Sequence, residues 1–204
     1  PLDLDHFMLS LTRIVRHRHL KAQVSMFRTL LDDKGFHGLY GRSRPMRMLF
    51  DQITRVARAE GPVLISGESG TGKELVARAI HRESRYHEGP FLAVNCAGVP
   101  EQLLESEFFG HQAGAFTGAS RARQGLFLEA QNGTLLLDEV GDMPLSAQAK
   151  ILRLLEEREF TRVGGSQPVQ VDIRFAAATN KDLEEEIQNK TFRSDLYFRL
   201  NVVR

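Results

Sequence analysis

The stretch Val63-Leu64-Ile65-Ser66-Gly67-Glu68-Ser69-Gly70-Thr71-Gly72-Lys73-Glu74 decides the fold. Its apolar opening, Val63 to Ile65, predicts a short buried strand, and the pattern that follows predicts a helix over Lys73–Arg85. Between them the spacing Gly-x-x-x-x-Gly-Lys is that of a phosphate-binding loop. Gly67, Gly70 and Gly72 let the backbone turn and bring its N–H groups against phosphate oxygens. The helix N-terminus adds partial positive charge, and Lys73 supplies a point charge for the β and γ phosphates of a nucleotide. Glu68, Ser69 and Thr71 fill the loop, and Glu74 stands where a Ser or Thr usually meets Mg2+. The metal must then be held elsewhere, through water or by a second motif. A glycine-rich turn carrying a surface lysine is the plain alternative.

The second motif lies some 65 residues further on, where Leu135-Leu136-Leu137 runs into Asp138-Glu139. In an open α/β sheet, ligands sit at the carboxyl ends of strands. Asp138 is therefore the candidate Mg2+ ligand, directly or through water, and Glu139 the group that orients and polarises an attacking water. Further strands are predicted at Phe91–Val94 and Val171–Ala178, and helices at Met46–Ala59, Ser146–Arg158 and Leu183–Gln188. Strand–helix alternation implies a parallel sheet covered on both faces. Asn180 follows the last strand and could hold the γ-phosphate or the lytic water, although Asn at a strand end also forms turns. Arg193 and Arg199 carry planar, delocalised charge suited to a developing phosphoryl charge, but on the residues alone they are equally surface ion-pair partners.

Composition narrows the class. The 204 residues are 42% hydrophobic and 26% charged, which excludes a disordered chain. A single cysteine, Cys96, excludes an internal disulfide framework and fits a reducing cytoplasm. No apolar run approaches the roughly 18 residues of a membrane helix, and no signal-peptide pattern opens the chain. The net charge of +1 hides an asymmetry: residues 1–60 carry 11 basic and 6 acidic groups, and the remainder 16 and 20. A nucleic-acid coat over the whole chain is excluded, which leaves a local basic face or a solvated helix face. Residues 3–33 read as helix with two short apolar stripes, Leu4, Phe7, Leu11 and Ile14, then Leu20, Val24, Phe27 and Leu31. Gly35 and Gly38 end it, and a boundary falls between Asp32 and Pro45.

Gly114-Ala115-Phe116-Thr117-Gly118-Ala119 is the least ordinary segment. A Phe among small residues, without turn polarity, suggests an apolar tip that meets a partner. Here the sequence resembles the central AAA+ domain of bacterial enhancer-binding proteins, the activators of sigma-54 RNA polymerase. The resemblance runs from Leu39 to Arg204 and rests on GESGTGKE (67–74), ESEFFGH (105–111), GAFTGA (114–119), GTLLLDEVGDMP (133–144), AATN (177–180) and FRSDLYFRLNVV (192–203). GAFTGA is the most specific of these, and the family's loop commonly carries an acid at the position of Glu74.

The resemblance implies a P-loop AAA+ three-layer α-β-α sandwich with a parallel central sheet, preceded by an N-terminal linker helix. It implies that Gly67 to Glu74 hold ATP and that Asp138 and Glu139 handle Mg2+ and water. Asn95 is similar to a switch residue that restrains Glu139, although a strand-end Asn can simply cap a turn. Asn180 is implied as sensor, and Arg193 and Arg199 as fingers reaching a neighbouring subunit's ATP. Active sites at subunit borders imply a ring, usually a hexamer, with a dimer as the inactive form. Gly114 to Ala119 would engage sigma-54 with its polymerase, and Glu159 to Pro168 resembles a second loop that moves with them. Residues 1–35 look like the end of a receiver-like regulatory domain and its linker, and 36–204 like the AAA+ domain without its helical lid. Enhancer DNA would be bound only by a further domain, no membrane is involved, and the cytoplasm of a bacterium is the expected place. A nucleotide-gated oligomerising module without turnover, or a remodeller of another client, are the competing readings.

Overall fold

The computed structural model describes residues 35–98, 101–116 and 119–202. The helix expected over 3–33, the receiver-like reading of that segment, and the loop residues Thr117 and Gly118 lie outside the described residues.

Helix α1, Arg44–Ala57, starts where Ser43 accepts the Met46 N–H and Pro45 occupies the first turn. It buries Ile53, Val56 and Ala57. Strand β1 is Val63–Ser66, helix α2 Lys73–Glu83, strand β2 Phe91–Asn95, helix α3 Glu101–Phe109 and the single turn α4 Leu126–Glu129. Strand β3 is Thr134–Asp138, followed by a 3-10 turn over Val140–Asp142 and by helix α5, Leu145–Glu157. A hairpin of β4, Glu159–Thr161, and β5, Pro168–Gln170, precedes strand β6, Arg174–Thr179. Helices α6, Leu183–Gln188, and α7, Ser194–Leu200, come last.

The four long strands form one sheet in the order β1-β6-β3-β2, and every pairing is parallel. Side chains alternate across it. Leu135, Leu137, Phe175 and Ala177 face a core shared with Ile151 and Leu154 of α5 and Leu196 and Leu200 of α7. Leu136, Ala176 and Ala178 face the other way, against Ala77 of α2. The molecule is thus a three-layer α-β-α sandwich on a parallel sheet. The register sets Ser66 beside Thr179 and Asn95 beside Asp138, so the carboxyl ends of the strands lie along one edge.

Phe127 of α4 anchors the first of these cores. It is fully buried, and its ring centroid lies 4.9 Å from Phe109, 5.6 Å from Phe108, 5.7 Å from Phe160 and 6.1 Å from Phe175. These contacts tie α3 and the β4–β5 hairpin to the sheet.

A buried arginine joins α1 to the sheet. The Arg174 guanidinium donates to the carbonyls of Ala57 and Val56 at 2.6 and 2.7 Å, in the last turn of α1, where the Val56 carbonyl also accepts the Ala59 N–H. Burial lowers its pKa, and its Nε has no hydrogen-bond partner among the described residues.

The observed elements differ from the expected ones in their bounds and in number, and α1 ends at Ala57 rather than Ala59. Strand β6 begins at Arg174 rather than Val171, because Val171 donates to the Arg158 carbonyl and Asp172 accepts from Asn132, so neither pairs with a sheet neighbour. Helix α2 ends at Glu83, where extended Ser84 donates back to the His81 carbonyl. Helices α3 and α7 and the β4–β5 hairpin are additions to the sequence reading.

Phe127→Ala should cost about 3–5 kcal/mol, as other large aromatic truncations in closed cores do. Guanidinium denaturation of the wild type and the variant reads this directly, and a loss below about 1 kcal/mol would contradict the central place given to this ring.

Candidate nucleotide site and surface loop

The loop Gly67–Gly72 leaves β1 at the sheet edge and returns into α2. Gly70 and Gly72 take φ of 77° and 89°, the left-handed region that only glycine adopts freely. Gly72 caps α2, so the free N–H groups of its first turn open at the loop. Gly67 donates to the Thr179 carbonyl at 3.2 Å, which ties the loop to β6. Thr71 turns its hydroxyl onto the Glu68 carbonyl at 2.8 Å.

Lys73 is buried, and its Nζ donates to the Gly67 and Glu68 carbonyls at 3.0 and 3.2 Å. Glu139 Oε1 lies 3.8 Å away. The other oxygen of Glu139 accepts the Asn180 backbone N–H at 3.2 Å. Glu139 is itself left-handed, with φ 50° and ψ 50°, a conformation uncommon outside glycine. Its N–H donates to Asp138 Oδ1 at 3.1 Å. Lys73, Asp138, Glu139 and Asn180 therefore meet at one place. The Asn180 contribution recorded there is its main-chain N–H.

Other candidates sit elsewhere. The Asn95 side-chain oxygen accepts from the N–H groups of Ala97 and Gly98 at 2.9 and 3.2 Å, so the residue closes its own turn beside Asp138 and is not hydrogen-bonded to Glu139. Glu74 takes both Nε and Nη2 of Arg78, four residues on, at 2.9 and 2.7 Å. Its carboxylate is thereby engaged on the α2 surface. Arg193 pairs with Asp195, and Arg199 donates to the Leu155 carbonyl; neither reaches Lys73, Asp138 or Glu139 of the same chain. Burial and the nearby carboxylates of Asp138, Asp142 and Glu139 push the Cys96 thiol up to about 12, the opposite of a reactive thiol. His81 bonds Thr134 at 2.9 Å, and burial lowers its pKa, so it is a neutral core residue.

A groove of about 790 Å3 adjoins the loop and was not legible in the sequence. Leu49, Ile53 and Val56 of α1 and Ile80 of α2 give it apolar walls, and Tyr197 and Asn201 close it from the C-terminal side. Gly67, Glu68 and Asn180 line it together beside the loop, Gly67 being hydrogen-bonded to Thr179, and the apolar side chains supply the rest of the lining, a combination that suits a flat apolar group with a charged end. The alternating apolar positions of α1 were the available signal.

Mg2+ needs few protein ligands, because it usually keeps waters and binds one or two carboxylates together with substrate phosphates. Among the described residues no cluster of three or more metal-ligating side chains occurs. Asp138, half-buried at its strand end and with one oxygen on the Glu139 N–H, fits that sparse demand.

The Gly114–Ala119 segment follows α3 in the chain, and its residues 114–116 and 119 are described. The Gly114 N–H donates to the Ala119 carbonyl at 2.8 Å, and the Ala119 N–H to the Phe116 carbonyl at 3.0 Å. Phe116 is 42% exposed. The β4–β5 turn packs against this segment, and a Cβ on Gly164 would come within 2.7 Å of the Ala115 Cβ.

The profile of the sigma-54 interaction domain family matches residues 39–204. The chain belongs to this family. Among relatives of this family, the regulatory protein AtoC of Escherichia coli (strain K12) is 52% identical over 204 residues, all of this chain and 44% of AtoC. The response regulator protein PilR of Pseudomonas aeruginosa is 54% identical over 203 residues, again 44% of its length. The chain thus spans less than half the length of these relatives. A crystal structure of NtrX from Brucella abortus in complex with ATP is 41% identical, with a TM-score of 0.75 over 100% of this chain and 42% of that one. The P-loop NTPase domain of a sigma-54 activator from E. coli, at 18% identity and a TM-score of 0.50 over 72% of this chain and 97% of its own, agrees in fold. The sigma-54 interaction domain described here is thus a P-loop AAA+ NTPase fold. No helix among its described residues is long and apolar enough to cross a membrane.

Lys73→Ala should weaken ATP binding about 10- to 100-fold, the worth of one charge-assisted contact to phosphate. Isothermal titration with ATP measures it, and an affinity within twofold of wild type would contradict the assignment of Lys73.

Proposed function

We propose that the domain binds ATP with Mg2+ and hydrolyses it to drive the Gly114–Ala119 loop against sigma-54, remodelling the closed complex of its RNA polymerase so that the promoter opens. The observation that carries the catalytic part is the convergence of Lys73, Asp138 and Glu139 beside the glycine loop. The loop backbone, Gly67 to Gly72, and Lys73 receive the phosphates, and the α1–α2 groove receives the base. Mg2+ on Asp138, directly or through water, would neutralise charge between the β and γ phosphates.

In the described state Lys73 is satisfied by two loop carbonyls and lies near Glu139. A γ-phosphate competes for the same ammonium, which releases Glu139 from that attraction. Glu139 then orients and polarises a water; its oxygen forms the new bond to the γ-phosphorus as the bond to the β–γ bridging oxygen breaks, the water's proton passes by way of Glu139 to solvent, and ADP and inorganic phosphate are the products. Asn180 borders the groove where the γ-phosphate would lie. Asn95 is assigned the role of switch only after a turn rearrangement that frees its side chain from Ala97 and Gly98.

Arg193 and Arg199 are exposed on α7 and its cap, where a neighbouring subunit can be reached. Their use as fingers requires a ring, for which a hexamer is the proposal, with a dimer as the inactive form. The same reading makes 36–204 the AAA+ domain, 1–35 the end of a receiver-like domain and linker, and the whole protein a cytoplasmic response regulator. Enhancer DNA would be recognised by a domain outside this sequence.

The test is retention of purified sigma-54 by the full-length protein in the presence of an ADP–metal-fluoride mimic of the transition state. Retention should require the mimic and fall at least tenfold in Thr117→Ala. Turnover without retention would assign another client, and neither retention nor turnover would favour a nucleotide-gated module.

A further inference from the structure

His111 is a buried titratable residue that the nucleotide site does not use. It stands at the root of the Gly114–Ala119 loop, 9% exposed, with both ring nitrogens occupied. Nε2 lies 3.0 Å from the Arg121 carbonyl. A carbonyl only accepts, so Nε2 carries the hydrogen. Nδ1 lies 2.7 Å from the Ser106 hydroxyl on α3 and accepts from it in the neutral ring. The imidazole edge meets the Phe116 ring, with centroids 4.9 Å apart at 65°. The His111 main chain exchanges both hydrogen bonds with Arg123, at 3.1 and 3.0 Å. On its other side, Gly110 accepts from Val163, and Gln112 donates to the Val163 carbonyl, both at 3.0 Å.

His111 therefore joins three pieces, α3 through Ser106, the returning arm of the loop through Arg121 and Arg123, and the tip through Phe116, while its neighbours Gly110 and Gln112 tie the same strip to Val163 of the β4–β5 turn. We propose that His111 is a positioning residue that fixes where Phe116 is presented to the partner. The inference rests on the reading of this loop as the sigma-54 contact, and it concerns the same site. Any buried imidazole pairs its nitrogens; this one takes its partners from α3 and from the returning arm of the loop, and its ring touches the exposed tip. Loss of the imidazole removes the Arg121 and Ser106 bonds and the ring against Phe116 together, while the nucleotide site, which shares no contact with it, stays intact.

The experiment uses full-length protein and three readouts: sigma-54 retention with the ADP–metal-fluoride mimic, ATP turnover, and amide hydrogen exchange. His111→Ala should reduce retention at least tenfold and leave turnover within threefold. It should also raise exchange at the Gly114 and Ala119 amides at least tenfold, with the β3 and β6 amides unchanged. His111→Gln, which keeps a donor near Nε2, should recover part of the retention. Ser106→Ala, which removes only the Nδ1 partner, should show a smaller change of the same kind. Unchanged exchange at Gly114 and Ala119 in His111→Ala overturns the proposal, as does retention equal to wild type. If His111→Ala does not fold, unchanged loop exchange and retention in Ser106→Ala overturn it. Thr117→Ala separates the two readings. If that variant retains sigma-54 fully, the loop contact itself is wrong, and the exchange data still judge the role of His111.

Discussion

The parallel ladder that sets Ser66 beside Thr179 and Asn95 beside Asp138 is the constraint on which the other features rest. Because all three pairings run the same way, every strand delivers its carboxyl end to one edge, and every polar residue placed just after a strand arrives there together. The central strands β3 and β6, buried on both faces, hold this register, since a one-residue slip would exchange Leu136 for Leu135 and Leu137 against opposing layers of different size. Arg174 adds a second restraint by tying α1, one wall of the groove, to the strand that ends at Thr179, next to Asn180.

On that edge the decisive local feature is Glu139. It is held in a left-handed conformation by its N–H on Asp138 and its carboxylate on the Asn180 N–H, within 3.8 Å of Lys73. Uncommon backbone geometry of this kind, of order 1 kcal/mol, persists where surrounding contacts over-determine it, and it clusters at functional sites. The arrangement keeps a carboxylate 3.8 Å from the Lys73 ammonium, and the proposed mechanism couples nucleotide binding to the freedom of Glu139 through that lysine.

Legibility in the sequence follows how local each feature is. The phosphate loop and the Leu-Leu-Leu-Asp-Glu strand end carry their chemistry within a few consecutive residues, and both lie where the alternating pattern implied. The groove could not be read, because Leu49, Val63, Ile80 and Tyr197 come from four elements that only the fold brings together. Glu74 was read through the loop motif, whereas the i,i+4 partner Arg78 was available and takes its carboxylate. Asn95 shows the same competition: an Asn followed by Ala97 and Gly98 satisfies its own turn before it reaches across to a neighbouring strand. Helix α7 is short and carries charged residues among its apolar ones, which obscures its period, although Leu196, Tyr197 and Leu200 fall at helical spacing and are buried. The place of His111 depends on a hydroxyl five residues back and a carbonyl ten residues on, and no periodicity signals that pair.

The central claim is that Glu139 serves the chemical step and not the binding of nucleotide. ATP affinity and ATP turnover of Glu139→Gln, measured side by side with the wild type, test it most directly. The account predicts an affinity within a few-fold of wild type, because the glycine loop and Lys73 remain. It predicts turnover lower by about 100-fold or more, the usual scale for losing a positioned base. Turnover within a few-fold of wild type, or an equal loss of affinity and turnover, would contradict it.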